Sequence, residues 1–427
     1  MRQLPPLADG WRYSTLGALI EPSRPITYGV VQPGEHSDEG VPLVRGGDFS
    51  RGWRPLDQMR RITPEIDSHC ERGRLRTGDL VITIKGAEVG VAAQIPHWLD
   101  GANISQTNAR LAINPAQANP RYILQFLHSP LGRFEVYQHT KVGAQPGLIF
   151  EDIASFNVPM PPELSWQDDI VALFDLWDSS IEKIQRLIAL KEKRALAASQ
   201  LLYLGSMPGA KSEGTEDWLD YSFSDIFEEV FDKNPGLCAS DVITVGKYAI
   251  RPQNEHFNRS VASKELSSYL LLEPGDFVYD PMSAYYGAIG RYTRASPGIV
   301  SPAYRVLHLR QGFDPSYIDG LLKSHYVRFQ LQARSSQNNK EGKRRLLDRE
   351  EFSAIRVRAP LVAAQEQIAA ILRTFNRDLE ASREVLAALQ RQKRGLMQKL
   401  LTGEWRAPVR DGDVDAMAAR VTEEAAQ

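Results

Sequence analysis

The sequence predicts a mixed α/β (α+β) chain: two similar domains separated by two long helices packed as an antiparallel coiled coil. Three observations predict it. A motif recurs: Glu151-Asp152-Ile153-Ala154-Ser155-Phe156-Asn157-Val158-Pro159 is answered by Arg349-Glu350-Glu351-Phe352-Ser353-Ala354-Ile355-Arg356-Val357. Each copy leads into a long helical pattern, opened by Gln167-Asp168-Asp169-Ile170 and by Gln365-Glu366-Gln367-Ile368. The offset is about 200 residues, far beyond the roughly 20–50 residues of solenoid repeats, so the repeating unit is a whole domain plus a helix. The apolar residues of both helical patterns step alternately by four and three, the seam of a coiled coil.

Residues 1–164 read as the first domain. Val41-Pro42-Leu43-Val44, Leu80-Val81-Ile82-Thr83-Ile84 and Arg110-Leu111-Ala112-Ile113 are strand signals, bounded by turns such as Gly46-Gly47-Asp48 and Thr77-Gly78-Asp79. One short helix is expected from Pro120 to Gln138, with Tyr122, Phe126, Leu127 and Phe134 facing inward. A helix over 165–204 follows, with Ser165 as its N-cap and Asp168 and Asp169 suiting its dipole. Its seam is Ile170, Phe174, Trp177, Ile181, Ile184 and Ile188. Residues 205–217 have the composition of a flexible linker.

The second domain, 218–362, echoes the first. Trp218-Leu219-Asp220-Tyr221-Ser222 answers Trp11-Arg12-Tyr13-Ser14, and Gly275-Asp276-Phe277-Val278 answers Gly78-Asp79-Leu80-Val81. Ser301-Pro302-Ala303-Tyr304-Arg305-Val306 stands where Ser105-Gln106-Thr107-Asn108-Ala109-Arg110-Leu111 stood. A helix over 363–403 follows, with the seam Ile368, Leu372, Phe375, Leu379, Ser382, Leu386, Leu389, Lys393, Leu396 and Leu400, ended by Gly403. The tail, 404–427, is expected to be disordered. Two long helices with narrow apolar stripes are each other's natural partner, although helices of two separate cores would also read this way.

At 427 residues the chain can build two cores. No apolar run reaches membrane-spanning length and Met1-Arg2-Gln3-Leu4-Pro5-Pro6 lacks a signal-peptide core, so the expectation is a cytoplasmic protein that meets no membrane. Two isolated cysteines, Cys70 and Cys238, agree with a reducing compartment and argue against a disulfide framework or zinc site. A net charge of −2 excludes a bulk-basic nucleic-acid binder, so local patches or a partner would have to neutralise phosphates.

Catalytic signatures are missing. There is no dinucleotide or Walker-type phosphate loop, no H-E-x-x-H and no G-x-S-x-G elbow. The Asn/Asp-Pro-Pro-aromatic stretch of amino-methyltransferases is absent from Asn234-Pro235-Gly236 and Asp280-Pro281-Met282. No catalytic, cofactor-binding or metal-ligating residue is assigned, and the histidines have no ligand-like spacing. Glu341-Gly342-Lys343 has the acid-x-lysine form of metal-dependent nucleases but lacks an upstream acidic partner, leaving a stand-alone nuclease as an alternative and a coiled-coil scaffold as another.

What remains is recognition chemistry. Gln337, Asn338, Asn339, Lys340, Lys343 and Arg344 combine amides that pair with adenine and cations suited to guanine or phosphate. Lys141 and Gln145 occupy the matching place in the first domain. Arg45, Lys85, Asn103, Ser105, Gln106 and Asn108 are further candidates on loops, and Ser283, Tyr285, Tyr286 and Arg291 are their rough counterparts.

On these residues the chain resembles the specificity subunits of Type I restriction-modification systems. The resemblance is carried by Trp11-Arg12-Tyr13-Ser14-Thr15-Leu16-Gly17, Pro25-Ile26-Thr27-Tyr28-Gly29-Val30, Val44-Arg45-Gly46-Gly47-Asp48-Phe49 and Asn103-Ile104-Ser105-Gln106-Thr107-Asn108. The helix ends carry it too, from Lys193-Arg194-Ala195-Leu196 to Leu201-Leu202 and from Lys393-Arg394-Gly395-Leu396 to Leu400-Leu401-Thr402-Gly403. It implies two target-recognition domains, each reading one half of a split double-stranded DNA site, with the helices as spacer. It implies two modification (methyltransferase) subunits that carry S-adenosylmethionine and methylate adenine. It further implies restriction/translocase subunits using ATP and Mg, with no cofactor in this chain. Because the two domains differ outside their shared landmarks, an asymmetric target is expected.

Overall fold

Leu80–Thr83 is buried at every position and forms an inner strand of a four-stranded antiparallel sheet. A strand covered on both faces reads as a continuous apolar run, which is what this segment shows. In the computed structural model, which describes residues 4–140, 147–203, 205, 217–234, 239–247, 250–253, 266–337 and 345–407, the sheet order is Thr27–Tyr28, Asn108–Leu111, Leu80–Thr83, Ala92–Gln94. A second sheet repeats the order with Phe227–Val230, Arg305–Leu309, Phe277–Tyr279 and Ile289–Arg291. The registers agree. Leu80 lies opposite Leu111 and Gln94, and Phe277 lies opposite Leu307 and Arg291. Each inner strand enters from a turn whose glycine takes a positive φ, Gly78 at 91° and Gly275 at 104°. The following carboxylate closes the turn: Arg76 N donates to Asp79 (2.7 Å) and Glu273 N donates to Asp276 (2.8 Å).

The chain forms two compact units, residues 1–185 with 384–427, and Arg186–Arg383. Each repeats a second pairing. Arg12–Thr15 lies antiparallel to Asn157–Met160, and Leu219–Ser222 lies antiparallel to Arg356–Ala359. Both pairings are extended by one further bond of 2.9 Å, from Leu16 N to Phe156 O and from Phe223 N to Ile355 O. The duplicated motif therefore marks one strand of a pair whose partner is the duplicated opening. The units diverge beyond this frame. The first adds a three-stranded sheet of Arg61–Ile62, Val41–Val44 and Asn103–Ile104; the second adds two-stranded pairs, Ile243–Val245 with Ile250–Pro252 and Leu270–Leu272 with Gly298–Val300.

The single helix expected from 120 to 138 is two, Pro120–His128 and Pro130–His139. Ser129 precedes a proline, which disfavours helical ψ, and sits extended at φ −72°, ψ 164°. Its hydroxyl then accepts from Gly132 N at 3.1 Å and starts the next helix. Tyr122, Phe126 and Leu127 are buried as expected, whereas Phe134 is only half-buried. The second unit repeats the pair as Pro315–Leu322 and His325–Arg334, with N-caps Asp314 and Ser324.

The long helices run Leu164–Leu202 and Val362–Leu401, so Ser165 lies inside the first turn rather than at the N-cap. Each is rooted by a buried glutamine. Gln167 Oε1 accepts from Asn119 N at 2.8 Å; Gln365 Oε1 accepts from Asp314 N at 2.9 Å. Asn119 and Asp314 are the N-caps of the equivalent domain helices, so one side-chain amide ties the base of each long helix to its own unit.

Helical segments pair in opposite directions within each unit. In the first, Lys393 bonds Asp178 at 2.6 Å, and Leu396 and Leu400 join the core that holds Ile170 and Phe174. In the second, Lys191 reaches Asp378 and Ser382, Glu192 bonds Arg383, and Arg194 covers the ring of Phe375. Gly403 ends the second helix at φ 75°, and a Cβ there would lie 2.4 Å from the Trp11 indole nitrogen. Among the described residues no helix is long and apolar enough to cross a membrane. The linker residues 206–216 and the tail from 408 onward lie outside the described residues.

Replacing Gln167 or Gln365 by leucine keeps the volume and strands a backbone donor. Each change is expected to lower stability by about 1–3 kcal/mol. Urea unfolding of the full chain measures it, and unchanged first-transition midpoints would refute the clasp.

Candidate nucleic-acid interface

In the first unit one corner is built around residues 105–108. Ser105 N donates to Val44 O (3.0 Å), Gln106 N to Val30 O (2.9 Å), and Ile84 N to Thr107 O (2.8 Å). The turn is thus held against three strand ends, one of which leads into the 3-10 turn Gly46–Asp48 and another into Lys85. A Cβ on Gly46 would stand 3.2 Å from Thr83 Oγ1 and 3.5 Å from Asn108 Oδ1, so glycine lets the two layers close. The structure therefore brings Arg45, Lys85, Ser105, Gln106 and Asn108 together.

Their availability differs. Asp48, 1% exposed, receives both Arg45 (3.3 Å) and Arg54 (3.2 Å), leaving two half-exposed guanidiniums sharing one buried carboxylate. Arg54 was not singled out in the sequence; the signal was the spacing of Arg51, Trp53 and Arg54 beside an acidic turn. Lys85 is exposed, and Gln106 is half-buried with its amide 3.4 Å from Val31 O. Ser105 bonds Thr107 through its hydroxyl at 2.7 Å.

Asn103 does not lie on a loop. It is a fully buried strand residue, with Nδ2 donating to Asp67 (2.8 Å) and Cys70 O (3.0 Å), and Oδ1 accepting from Ile104 N (2.8 Å). Its hydrogen-bonding capacity is used in holding the Asp67 segment to the strand. Asn108 is likewise fully buried, donating to Val44 O at 3.1 Å, with Oδ1 unpartnered. Nearby Arg110 is caged by the carbonyls of Arg72, Arg74 and Pro25. Burial, then the adjacent Arg24 charge, lowers its guanidinium pKa from the ordinary value.

In the second unit the equivalent turn carries aromatics. Ser283 precedes the 3-10 turn Ala284–Tyr286, where Tyr285 and Tyr286 meet edge to face at 5.1 Å. Arg345 lies over the Tyr285 ring at 5.5 Å, and Tyr286 is 38% exposed. Leu347 N donates to Pro281 O (2.9 Å), just as Leu148 N donates to Ile84 O (3.0 Å) in the first unit. In both units, then, a leucine after the polar segment donates its N–H to the end of the inner strand or the turn that follows it. Gln337 sits in the short strand Ser336–Gln337, opposite Arg345. Lys141, Gln145, Asn338, Asn339, Lys340, Lys343 and Arg344 lie outside the described residues, as does the acid-x-lysine of Glu341. Among the described residues no cluster suited to a metal ion occurs.

Arg291 is not part of this turn. It lies on the strand Ile289–Arg291, its backbone N donates to Asp319 at 3.1 Å, and its side chain lines a cavity with Lys323 and Arg373. The strand register that pairs it with Phe277 turns it toward the helix Pro315–Leu322.

The arrangement offers half-exposed guanidiniums, an ammonium and an amide in the first unit, and an aromatic pair beside an arginine in the second. These groups match base edges, base faces and phosphates.

No family model matches the chain. In structure it aligns with a chain solved to explain complex assembly and conformational transition of the type I restriction-modification system, at a TM-score of 0.63 and 16% identity, over 94% of this chain and 100% of that one. The two chains share a fold. In sequence it is 29% identical over 189 residues to the Type I restriction enzyme EcoBI specificity subunit of Escherichia coli, covering 43% of this chain. That match spans 39% of the curated relative's length. The HsdS subunit from Thermoanaerobacter tengcongensis aligns at a TM-score of 0.49 and 17% identity, over 93% of this chain and 98% of that one. The chain resembles a Type I specificity subunit.

Two substitutions separate structural from surface residues. Asn103→Ala is expected to cost about 1–3 kcal/mol, since it leaves buried partners unpaired. Tyr286→Ala is expected to stay within about 0.5 kcal/mol of the parent. Chemical unfolding of the two variants decides, and equal stabilities would contradict the assignment.

Proposed function

We propose that this chain is the DNA specificity subunit of a Type I restriction-modification complex. Each unit reads one half of an asymmetric bipartite site on double-stranded DNA, and the chain performs no chemistry itself. The observation that carries the reading is a duplicated frame with unlike loops. Sheet order, turn, helix pair and glutamine clasp are shared between the units. The residues on the equivalent turn are a lysine corner in one and a tyrosine pair in the other. Shared frames suit shared docking and different surfaces suit different half-sites.

The two long helices set the spacing of the half-sites and present equivalent ends to two methyltransferase subunits. A helix of 39 residues is about 58 Å long at about 1.5 Å per residue. That is on the order of 17 base pairs, enough for half-site centres about one helical turn apart. S-adenosylmethionine belongs to the methyltransferase subunits, and ATP and Mg to restriction/translocase subunits. The chain's own net charge of −2 fits a reader enclosed with partners that help neutralise the backbone.

Co-expression with a Type I methyltransferase subunit, followed by mapping of adenine methylation, tests this. The expected motif has two different half-sites and an unread gap; a palindrome or absence of any motif counts against it. Inserting four residues into each long helix is expected to lengthen the gap. Tyr286→Ala is expected to relax one half-site, at about 1–3 kcal/mol of lost discrimination, and leave the other intact.

A further inference from the structure

The duplicated frame lets equivalent positions be compared, and at one place the copies differ in charge and in filling. In the first unit, Asp175 and Asp178 lie on the long helix beyond Gln167. Both are neutralised by their neighbours: Arg121 pairs with Asp175, Gln125 Nε2 donates to Asp178 at 3.3 Å, and Lys393 Nζ donates to Asp178 at 2.6 Å. Long side chains and their ion pairs occupy the space.

In the second unit, at the same spacing beyond Gln365, stand Arg373 and Asn376. The positions of Arg121 and Gln125 are taken by Ser316 and Gly320, and Ala195 lines the same space. The strand position of Gln94 becomes Arg291, since both face the first residue of the inner strand. Carboxylates have become a cation and an amide, and two long side chains have become small ones. The result is a cavity of about 310 Å³, lined by these residues together with Lys323, Asp319 and Ser199. Gly320 has its own reason to be glycine, because the Tyr203 hydroxyl lies 2.2 Å from where a Cβ would stand.

Asp319 is the one carboxylate in the lining, and both its oxygens are engaged. Oδ1 accepts from Arg291 N at 3.1 Å and Oδ2 holds Lys323 at 2.6 Å. Arg291 Nε is buried with no hydrogen-bond partner, and Arg373 has no ion-pair partner among the described residues. The Arg291 Nε is closed off from the cavity, so the lining cations Arg291, Lys323 and Arg373 are the groups that meet a ligand through their accessible atoms. Hydroxyls of Ser199 and Ser316 and the Asn376 amide supply further donors around the same space.

We propose that this cavity binds a small phosphate-bearing oxyanion, either inorganic phosphate or a phosphomonoester. Three cations against one engaged carboxylate select an anion, and guanidinium forks suit tetrahedral oxyanions. The volume is near the lower end of the roughly 300–1,000 Å³ of small-ligand sites, which fits a phosphate with a small substituent. A duplex backbone is gripped by rows of exposed cations, whereas the three cations here converge on one cavity. The inference does not rest on the proposed function, and the methylation motif leaves it untouched.

Isothermal titration of the purified full chain with inorganic phosphate, and separately with glycerol phosphate, tests it at constant ionic strength. Saturable one-site binding of either is expected, and the tighter of the two identifies the source. Arg373→Asp restores the carboxylate of the first unit on an exposed position, and Arg291→Gln removes the buried guanidinium. Each is expected to weaken binding about tenfold or more. Should Arg291→Gln fail to fold, Arg373→Asp carries the test alone. No saturable binding, or binding unchanged in the variants, overturns the proposal. So does a loss confined to affinity for a duplex of arbitrary sequence, which would assign the cations to the DNA backbone.

Discussion

The rest of the architecture depends on a hydrogen bond made twice: a buried glutamine amide at the base of each long helix accepting from the N-cap residue of a domain helix. A helix of 39 or 40 residues has a narrow apolar stripe and little intrinsic hold on a domain. Burying a primary amide without partners is unfavourable, so the glutamine tolerates only a geometry in which its oxygen finds a donor. The N-cap N–H is such a donor, left over because helix starts have no internal acceptor for it. Gln365 goes further and donates to Pro360 O at 2.8 Å, locking the strand exit to the helix start. The direction in which each helix leaves its unit follows from this constraint.

Around that fixed root the two copies vary freely. The shared turn before the inner strand, with its positive-φ glycine and closing aspartate, recurs because the backbone there admits few alternatives. The turn after the inner strand is not so constrained. One copy carries Lys85 and the other Ser283, Tyr285 and Tyr286. The helix flank also varies: internally paired acids in one unit, a cation-lined cavity in the other. Duplication followed by divergence at exposed and cavity positions is the pattern of a chain whose scaffold is held constant while its contacts change.

Much of the frame was legible in the sequence because it is local. The four-three stepping gave both helices to within about two residues at each end, the usual scatter of helix boundaries. Gly403 ended the second helix for a backbone reason visible in sequence, and its contact with Trp11 adds a reason that was not. The missed break at Ser129 was also local: a serine before a proline ends one helix and caps the next. Apolar residues continue on both sides of that serine, so the helical period runs through the break.

The sequence by itself determined the duplication, the helical seams, the glycine turns and the resemblance to Type I specificity subunits. Only the tertiary structure decided which polar residues face solvent. Asn103 is committed to Asp67, 36 residues earlier, and Asn108 to Val44, 64 residues earlier. Arg291 was placed by strand register in a cavity rather than on a turn. A sequence window reports the period of a segment, which fixes its local form. Whether an amide or a guanidinium is exposed depends on which distant strand covers it, and that is set by packing among segments no window contains.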